Sequence, residues 1–148
     1  MSTDTDINVL NGLIKTTLDS MKGYEDAAKD AENPQFAEMF ADFARDRSQV
    51  ASDLQAQVRS LGGDPETDSS LLAAAHRSFM DLKQAITGKD DKAIIEEVER
   101  GEDFIKGKYE TALTDGDLSA QVKAAITDAF ASVKEGHDRM SQLKHSLS

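Results

Sequence analysis

Apolar residues recur at steps of three and four along four long stretches of this chain. Over residues 5–30, Leu10, Ile14, Thr17, Met21, Tyr24 and Ala28 fall on one stripe, with Leu13 and Leu18 beside it. Over 34–61 the stripe is Phe36, Phe40, Phe43, Arg47, Val50, Leu54, Gln57 and Leu61. Over 91–113 it is Ile95, Val98, Glu102, Ile105, Tyr109 and Ala112. Over 118–146 it is Val122, Ile126, Ala129, Val133, His137, Met140 and either Leu143 or Lys144. This period is that of an α-helix burying one face. A shorter helix is predicted over 70–87, with Leu72, Ala75, His76, Phe79, Leu82 and Ile86 inward and Asp68 or Ser69 as its cap.

The breaks between these stretches carry recognisable stop and start chemistry. Asn33-Pro34 reads as an N-cap followed by proline at the first helical position. Gly62-Gly63 ends the second helix, and Pro65 delays any resumption. Gly88 ends the short helix, and Asp115-Gly116-Asp117 is a turn. Helices one and two are joined by a short loop, as are the last two. About 30 residues separate the second and third long helices, enough to run the length of a bundle and leave those two parallel. The expected architecture is all-α, a single domain over 1–148: an up-down-down-up four-helix bundle with an extra helix in the long crossover.

Composition narrows the function classes. The chain has 148 residues, 39% of them hydrophobic and 30% charged, which suits one globular domain. It has no cysteine, which removes disulfides, zinc–thiolate sites and thiol nucleophiles from consideration. Its net charge of −11 repels phosphate backbones and anionic lipid, so neither nucleic acid nor membrane is the expected partner. No apolar run is long enough to span a bilayer, and the polar, acidic start lacks the features of a signal peptide; a cytoplasmic location is expected. No phosphate-binding loop, nucleotide fingerprint or Ser-His-Asp arrangement is present; Gly62-Gly63 is a helix stop.

The chemistry lies in the polar interruptions of the apolar stripes: Thr17, Arg47, Glu102 and His137, one per long helix. Polar groups in a core must meet one another or a ligand. The segments Met21–Ala28 and Phe40–Arg47, and the spacing of Glu102 to Tyr109, resemble the ligand-bearing helices of rubrerythrin-type ferritin-like proteins. That resemblance implies a di-metal centre built from one Glu on each of two helices and a Glu-x-x-His pair on each of the other two. Seven residues before Tyr24, the ligand position is Thr17; seven before Tyr109 it is Glu102. The first Glu-x-x-His falls on Arg47 and Val50, the second on Lys134 and His137. Of the six ligands implied, Glu102 and His137 remain. Across residues 6–113 the chain also resembles an uncharacterised bacterial family of ferritin-like domains, through Gly23-Tyr24-Glu25, Arg45-Asp46-Arg47, the run from His76 to Lys83, and Glu99-Arg100-Gly101-Glu102.

A permanently cationic arginine repels a metal ion placed beside it. The expected centre is therefore a metal-free polar network of Thr17, Arg47, Glu102, Lys134 and His137, with Arg47 donating to Glu102 and Tyr24 and Tyr109 helping to satisfy the rest. No cofactor is expected. The expected role is non-enzymatic, that of an interaction or stress-associated protein, with a homodimer through the crossover helix or an outer face and an unidentified protein partner. The alternative is an iron- or manganese-binding oxidoreductase or iron-binding protein that uses a non-standard set. Such a set would draw on Glu102 and His137 with Glu25, Asp46 and Glu99, or with Asp42, Asp103 and Glu135; Asp46 and Gln49 would form a weak Asp-x-x-Gln pair. A third reading has the polar centre as a small-ligand pocket. His76 is expected to pin the crossover helix to the bundle.

Overall fold

A computed structural model describes residues 3–67 and 91–147. Four helices carry them: α1 (Thr3–Asp30), α2 (Pro34–Ser60), α3 (Asp91–Leu113) and α4 (Ala120–Leu147). The expected helix at 70–87, with His76 and its apolar face, lies outside the described residues.

Local chemistry sets the helix ends. Asn33 caps α2, its side chain accepting from the Gln35 amide at 2.9 Å, and Pro34 occupies the first turn, where no amide donor is needed. At the other end Gly62 takes a φ of +85°, the left-handed conformation glycine tolerates best. The Gly62 amide bonds Arg59 O and the Gly63 amide bonds Val58 O, each at 3.0 Å, closing a Schellman motif. Helix α4 begins two residues later than the periodicity predicts. Ser119 caps it, its Oγ accepting from the Val122 amide at 3.3 Å, and Leu118 is buried just outside the helix. The Asp115 side chain accepts from the Asp117 amide at 2.9 Å and folds the preceding turn.

Two aspartates fix how the helices run. The Asp91 carboxylate, at the start of α3, accepts from the amides of Glu32 (2.8 Å) and Asn33 (2.9 Å) in the α1–α2 turn. The buried Asp6, at the start of α1, accepts from the Ser119 amide at 3.1 Å. Helix α3 therefore starts at the end where α1 finishes, and α4 starts where α1 starts. The order is up-down-down-up, with α2 and α3 parallel and diagonal to one another. Helix α1 packs against α2 and α3, and α4 packs against α3 and α2. Asn11 reinforces the lower end, donating to Asp64 O at 3.1 Å and accepting from the Glu66 amide at 2.9 Å.

The core is in two parts. The lower cluster gathers Leu10, Ile14, Leu54, Val58, Ile126 and their neighbours. The upper cluster gathers Tyr24, Ala27, Phe40, Ile94, Ile95 and Met140. Tyr24 lies 5.3 Å from the Phe43 ring in a stacked arrangement and 6.2 Å from Phe40. A buried polar layer stands between the two clusters.

Candidate functional site: a buried arginine–glutamate pair at the bundle centre

Arg47 projects from the middle of α2 and Glu102 from the middle of α3, each 1% exposed. The guanidinium and carboxylate meet across the bundle diagonal as a fork: Nη1 to Oε1 at 2.8 Å and Nη2 to Oε2 at 2.7 Å. Nη1 also donates to Ser20 Oγ at 2.9 Å, and Nη2 lies 3.4 Å from Val133 O. The Tyr24 ring sits 5.4 Å from the Arg47 guanidinium carbon, in cation–π range. Burial by itself would push the Arg47 pKa down, but the Glu102 carboxylate outweighs it and raises the value. Two ions cancel one another here, and Arg47 spends four donor contacts on side chains and backbone of α1, α3 and α4.

The α4 residue over this pair is Gly136. It is buried, and a Cβ built on it would stand 2.4 Å from Arg47 Nη2 and 3.2 Å from Glu102 Oε2. The inward stripe of α4 thus runs Val133, Gly136, Met140, stepping three and then four. The sequence expectation took the other permitted step from Val133, to His137, and placed Lys134 nearby in the core. Neither lies there. Lys134 is exposed. His137 turns to the α3–α4 seam, with Nε2 2.6 Å from Asp103 Oδ1 and Nδ1 3.3 Å from Asp138 Oδ1. The hydrogen bond with His137 is the main reason the Asp103 pKa falls below the ordinary carboxylate value. Gly136 leaves no side-chain mark in a hydrophobic pattern, so pattern reading passes over it to the next polar residue. The available signal was its cost: glycine in mid-helix is worse than alanine by about 1 kcal/mol, and calls for a reason.

Thr17 is satisfied in a separate contact one layer lower. Its Oγ1 donates to Leu13 O at 2.7 Å and, with its single proton spent, accepts from the Tyr109 hydroxyl at 2.7 Å. Burial pushes the Tyr109 pKa up to about 12. The Tyr24 hydroxyl is different. It is buried against the Glu102 carboxylate. Burial first, and the adjacent Glu102 charge second, raise its pKa well above the usual tyrosine value.

None of the remaining carboxylates proposed as alternative ligands joins Glu102 in the buried layer. Glu25, Asp46 and Glu135 are exposed, Asp42 pairs with Arg45, and Glu99 pairs with Lys144 at 3.1 Å. A di-metal centre needs four inward carboxylates and two histidines. At the matching positions this chain presents a threonine bonded to Tyr109, an arginine, a valine, a glutamate paired with that arginine, an outward lysine and a histidine turned to the α3–α4 seam. The carboxylate buried at the bundle centre, Glu102, has both oxygens on Arg47. This donor set does not fit two metal ions. Among the described residues no cluster of three or more His, Asp or Glu is arranged to hold even one.

No helix among the described residues is long and apolar enough to cross a membrane. No protein of curated function matches the chain. In fold it is similar to a solved structure of a dodecameric thioferritin, the bacterioferritin-related protein from Bacteroides fragilis. The two superpose with a TM-score of 0.79 at 13% identity, over 99% of this chain and 88% of that one. The chain thus has the ferritin-like fold, in agreement with its up-down-down-up helix order. Residues 5–115 match the profile of DUF2383, a domain of unknown function, and the chain belongs to that family.

Proposed function

We propose that this protein is a non-catalytic ferritin-like bundle in which an ion pair holds the place of the di-metal centre, and that it works by association with a second copy or another protein. The observation that supports this most directly is the Arg47–Glu102 fork, which puts a permanent cation and its counter-ion where a metal would need several anionic oxygens. Gly136 argues the same way. Its missing side chain is the space that the guanidinium fills, so the position serves the pair and offers no ligand. Assembly of copies is a reasonable mode for this fold, since the Bacteroides fragilis relative is dodecameric.

The test is metal analysis of protein purified without chelator, followed by titration with ferrous iron and with manganese. The expected outcome is no stoichiometric metal and no saturable binding at the bundle centre. One or two equivalents of metal, lost on Glu102→Ala in a variant that still folds, would establish the oxidoreductase or iron-binding reading instead. Analytical ultracentrifugation of the same sample reports the assembly state.

A further inference from the structure

The seam between α1 and α3 opens into a cavity of about 280 Å³ beside the central pair. Ala27, Ile94, Val98 and Ile105 give it apolar walls, and Phe104 stands half-exposed in its lining. An apolar cavity of about 150 Å³ accommodates benzene, so this one has room for about ten non-hydrogen atoms. An occupant needs an apolar body to match those walls, and a polar end only where the lining answers it.

Most polar groups in the lining are committed inside the protein. The Glu102 carboxylate takes both donors of the Arg47 fork, and the Tyr24 hydroxyl is buried against it. Ser20 Oγ accepts from Arg47 Nη1, and Thr16 Oγ1 donates to Gly12 O at 3.1 Å. The carboxylate oxygens of Asp19 are buried, so Asp19 adds negative potential to the cavity without a contact surface. Glu97 is different, because its side chain keeps 23% of its exposure. Its Oε2 accepts from Arg100 Nη1 at 3.0 Å. The Arg100 side chain is 67% exposed, so this is a weak surface pair. A carboxylate has about four acceptor sites, and one exposed arginine does not exhaust them. The two lining carboxylates and the net charge of −11 favour a cation and disfavour an anion.

We propose that the α1–α3 cavity binds a compact organic cation, a primary ammonium on a short apolar body. The body lies against Ile94, Val98 and Ile105, and the ammonium donates to the Glu97 carboxylate. The site lies outside the Arg47–Glu102 pair, and its occupancy does not depend on whether the bundle centre holds metal. Arg100 competes with the ligand for the same carboxylate. Removing the Arg100 charge should therefore strengthen binding, and removing the Glu97 charge should weaken it. Opposite signs at two residues three positions apart distinguish a site that reads charge from general apolar uptake.

Three soluble probes of similar shape test this by calorimetry or ligand-observed NMR on the full chain: 2-phenylethylammonium, the neutral 2-phenylethanol and the anion phenylacetate. The ammonium should bind with a dissociation constant on the order of 0.1–1 mM, as expected for so few atoms. It should be preferred about fivefold over the alcohol at low salt, the upper end for a partly exposed charge pair, and phenylacetate should not bind. Raising the salt to about 0.5 M should shrink that preference and leave the alcohol unaffected. Glu97→Gln should bring ammonium and alcohol to within about twofold, with alcohol affinity unchanged, and Arg100→Gln should tighten the ammonium by about twofold. A Cβ built at Gly101 meets nothing within 4 Å, so Gly101→Leu should fold and should block both ligands. Ile94→Phe gives a second way to fill the cavity should the first variant fail to fold.

Equal binding of the ammonium and the alcohol by the wild-type protein would overturn the proposal, as would a preference for the ammonium that persists in Glu97→Gln. Ammonium binding that survives both cavity-filling variants would place the cation elsewhere on the acidic surface and overturn it too. So would an absence of binding by all three probes, an outcome that leaves this face no role as a small-molecule site.

Discussion

The space above the Arg47 guanidinium exists because residue 136 has no side chain: a Cβ on Gly136 would come within 2.4 Å of Arg47 Nη2. The two residues lie on α2 and α4, 89 positions apart in sequence, and each explains the other. An arginine is too long to lie flat in the middle of a helical bundle unless a neighbouring helix yields volume. A mid-helix glycine is unfavourable unless its missing atoms are needed.

Gly136→Ala is therefore expected to destabilise the protein by about 1–3 kcal/mol, although alanine is the better helix former by about 1 kcal/mol. The methyl group must push a guanidinium held by several hydrogen bonds, and that displacement strains the buried pair. Gly107 is the control. It is exposed in α3 and a Cβ there meets nothing within 4 Å, so Gly107→Ala should gain up to about 1 kcal/mol. Chemical denaturation of the two variants side by side decides the matter; equal gains in both would remove the role given to Gly136.

Arg47→Leu alone should cost about 3–5 kcal/mol, because it leaves the Glu102 carboxylate buried without its counter-ion. The double variant Arg47→Leu with Glu102→Leu should recover most of that loss, since two apolar side chains of comparable bulk carry no desolvation penalty. A thermal melt of Arg47→Leu indistinguishable from wild type would show that the pair is not the keystone of the polar layer.

The two tyrosines report on the same layer through their ionisation, and the chain has no tryptophan to obscure them. Free tyrosine titrates near pH 10. Here Tyr109 is pushed up to about 12 and Tyr24 is raised well above 10, burial being the larger cause in both. The folded state then holds protons that the unfolded chain has lost between pH 10 and 12, so stability should be fully present below pH 10 and should fall as pH rises through that window. Absorbance at 295 nm should stay low at pH 10.5 in native buffer and rise in 6 M guanidinium. Full tyrosinate absorbance in the native protein at that pH would contradict the burial of both hydroxyls.

Asp91 holds the α1–α2 turn through two amide bonds, from Glu32 and Asn33. Asp91→Ala should lower stability by about 1–2 kcal/mol through loss of those charge-assisted bonds. Hydrogen exchange of the Glu32 and Asn33 amides should quicken more than exchange at the lower end of the bundle. Uniform quickening of both ends would mean the clasp is not local.

Much of the architecture is legible in the one-dimensional pattern, because helical period, caps and glycine stops are local properties. The stripes of α1 to α3, the Asn33-Pro34 start and the Gly62-Gly63 stop all express which residues bury and which backbone groups need partners. The length of the α2–α3 connection, set against two short loops, implies the ferritin-like order before any contact is known. The polar residues Thr17, Arg47 and Glu102 are also visible as interruptions, since an arginine or glutamate on an apolar stripe is costly whatever surrounds it.

Tertiary structure alone decided what those interruptions meet. Period permits both the i+3 and i+4 steps from Val133, and only packing against α2 and α3 selects Gly136 over His137. Once that rotation is set, His137 belongs to the surface pair with Asp103, and Lys134 to solvent. Thr17 could have joined the arginine network, yet its depth along α1 places it against Tyr109. The cavity between α1 and α3 has no sequence signature either: it is the gap between two helix faces, and its volume depends on their separation. Residue types determined that the bundle centre would be polar; the relative rotation and offset of four helices determined that the polarity is an ion pair roofed by a glycine.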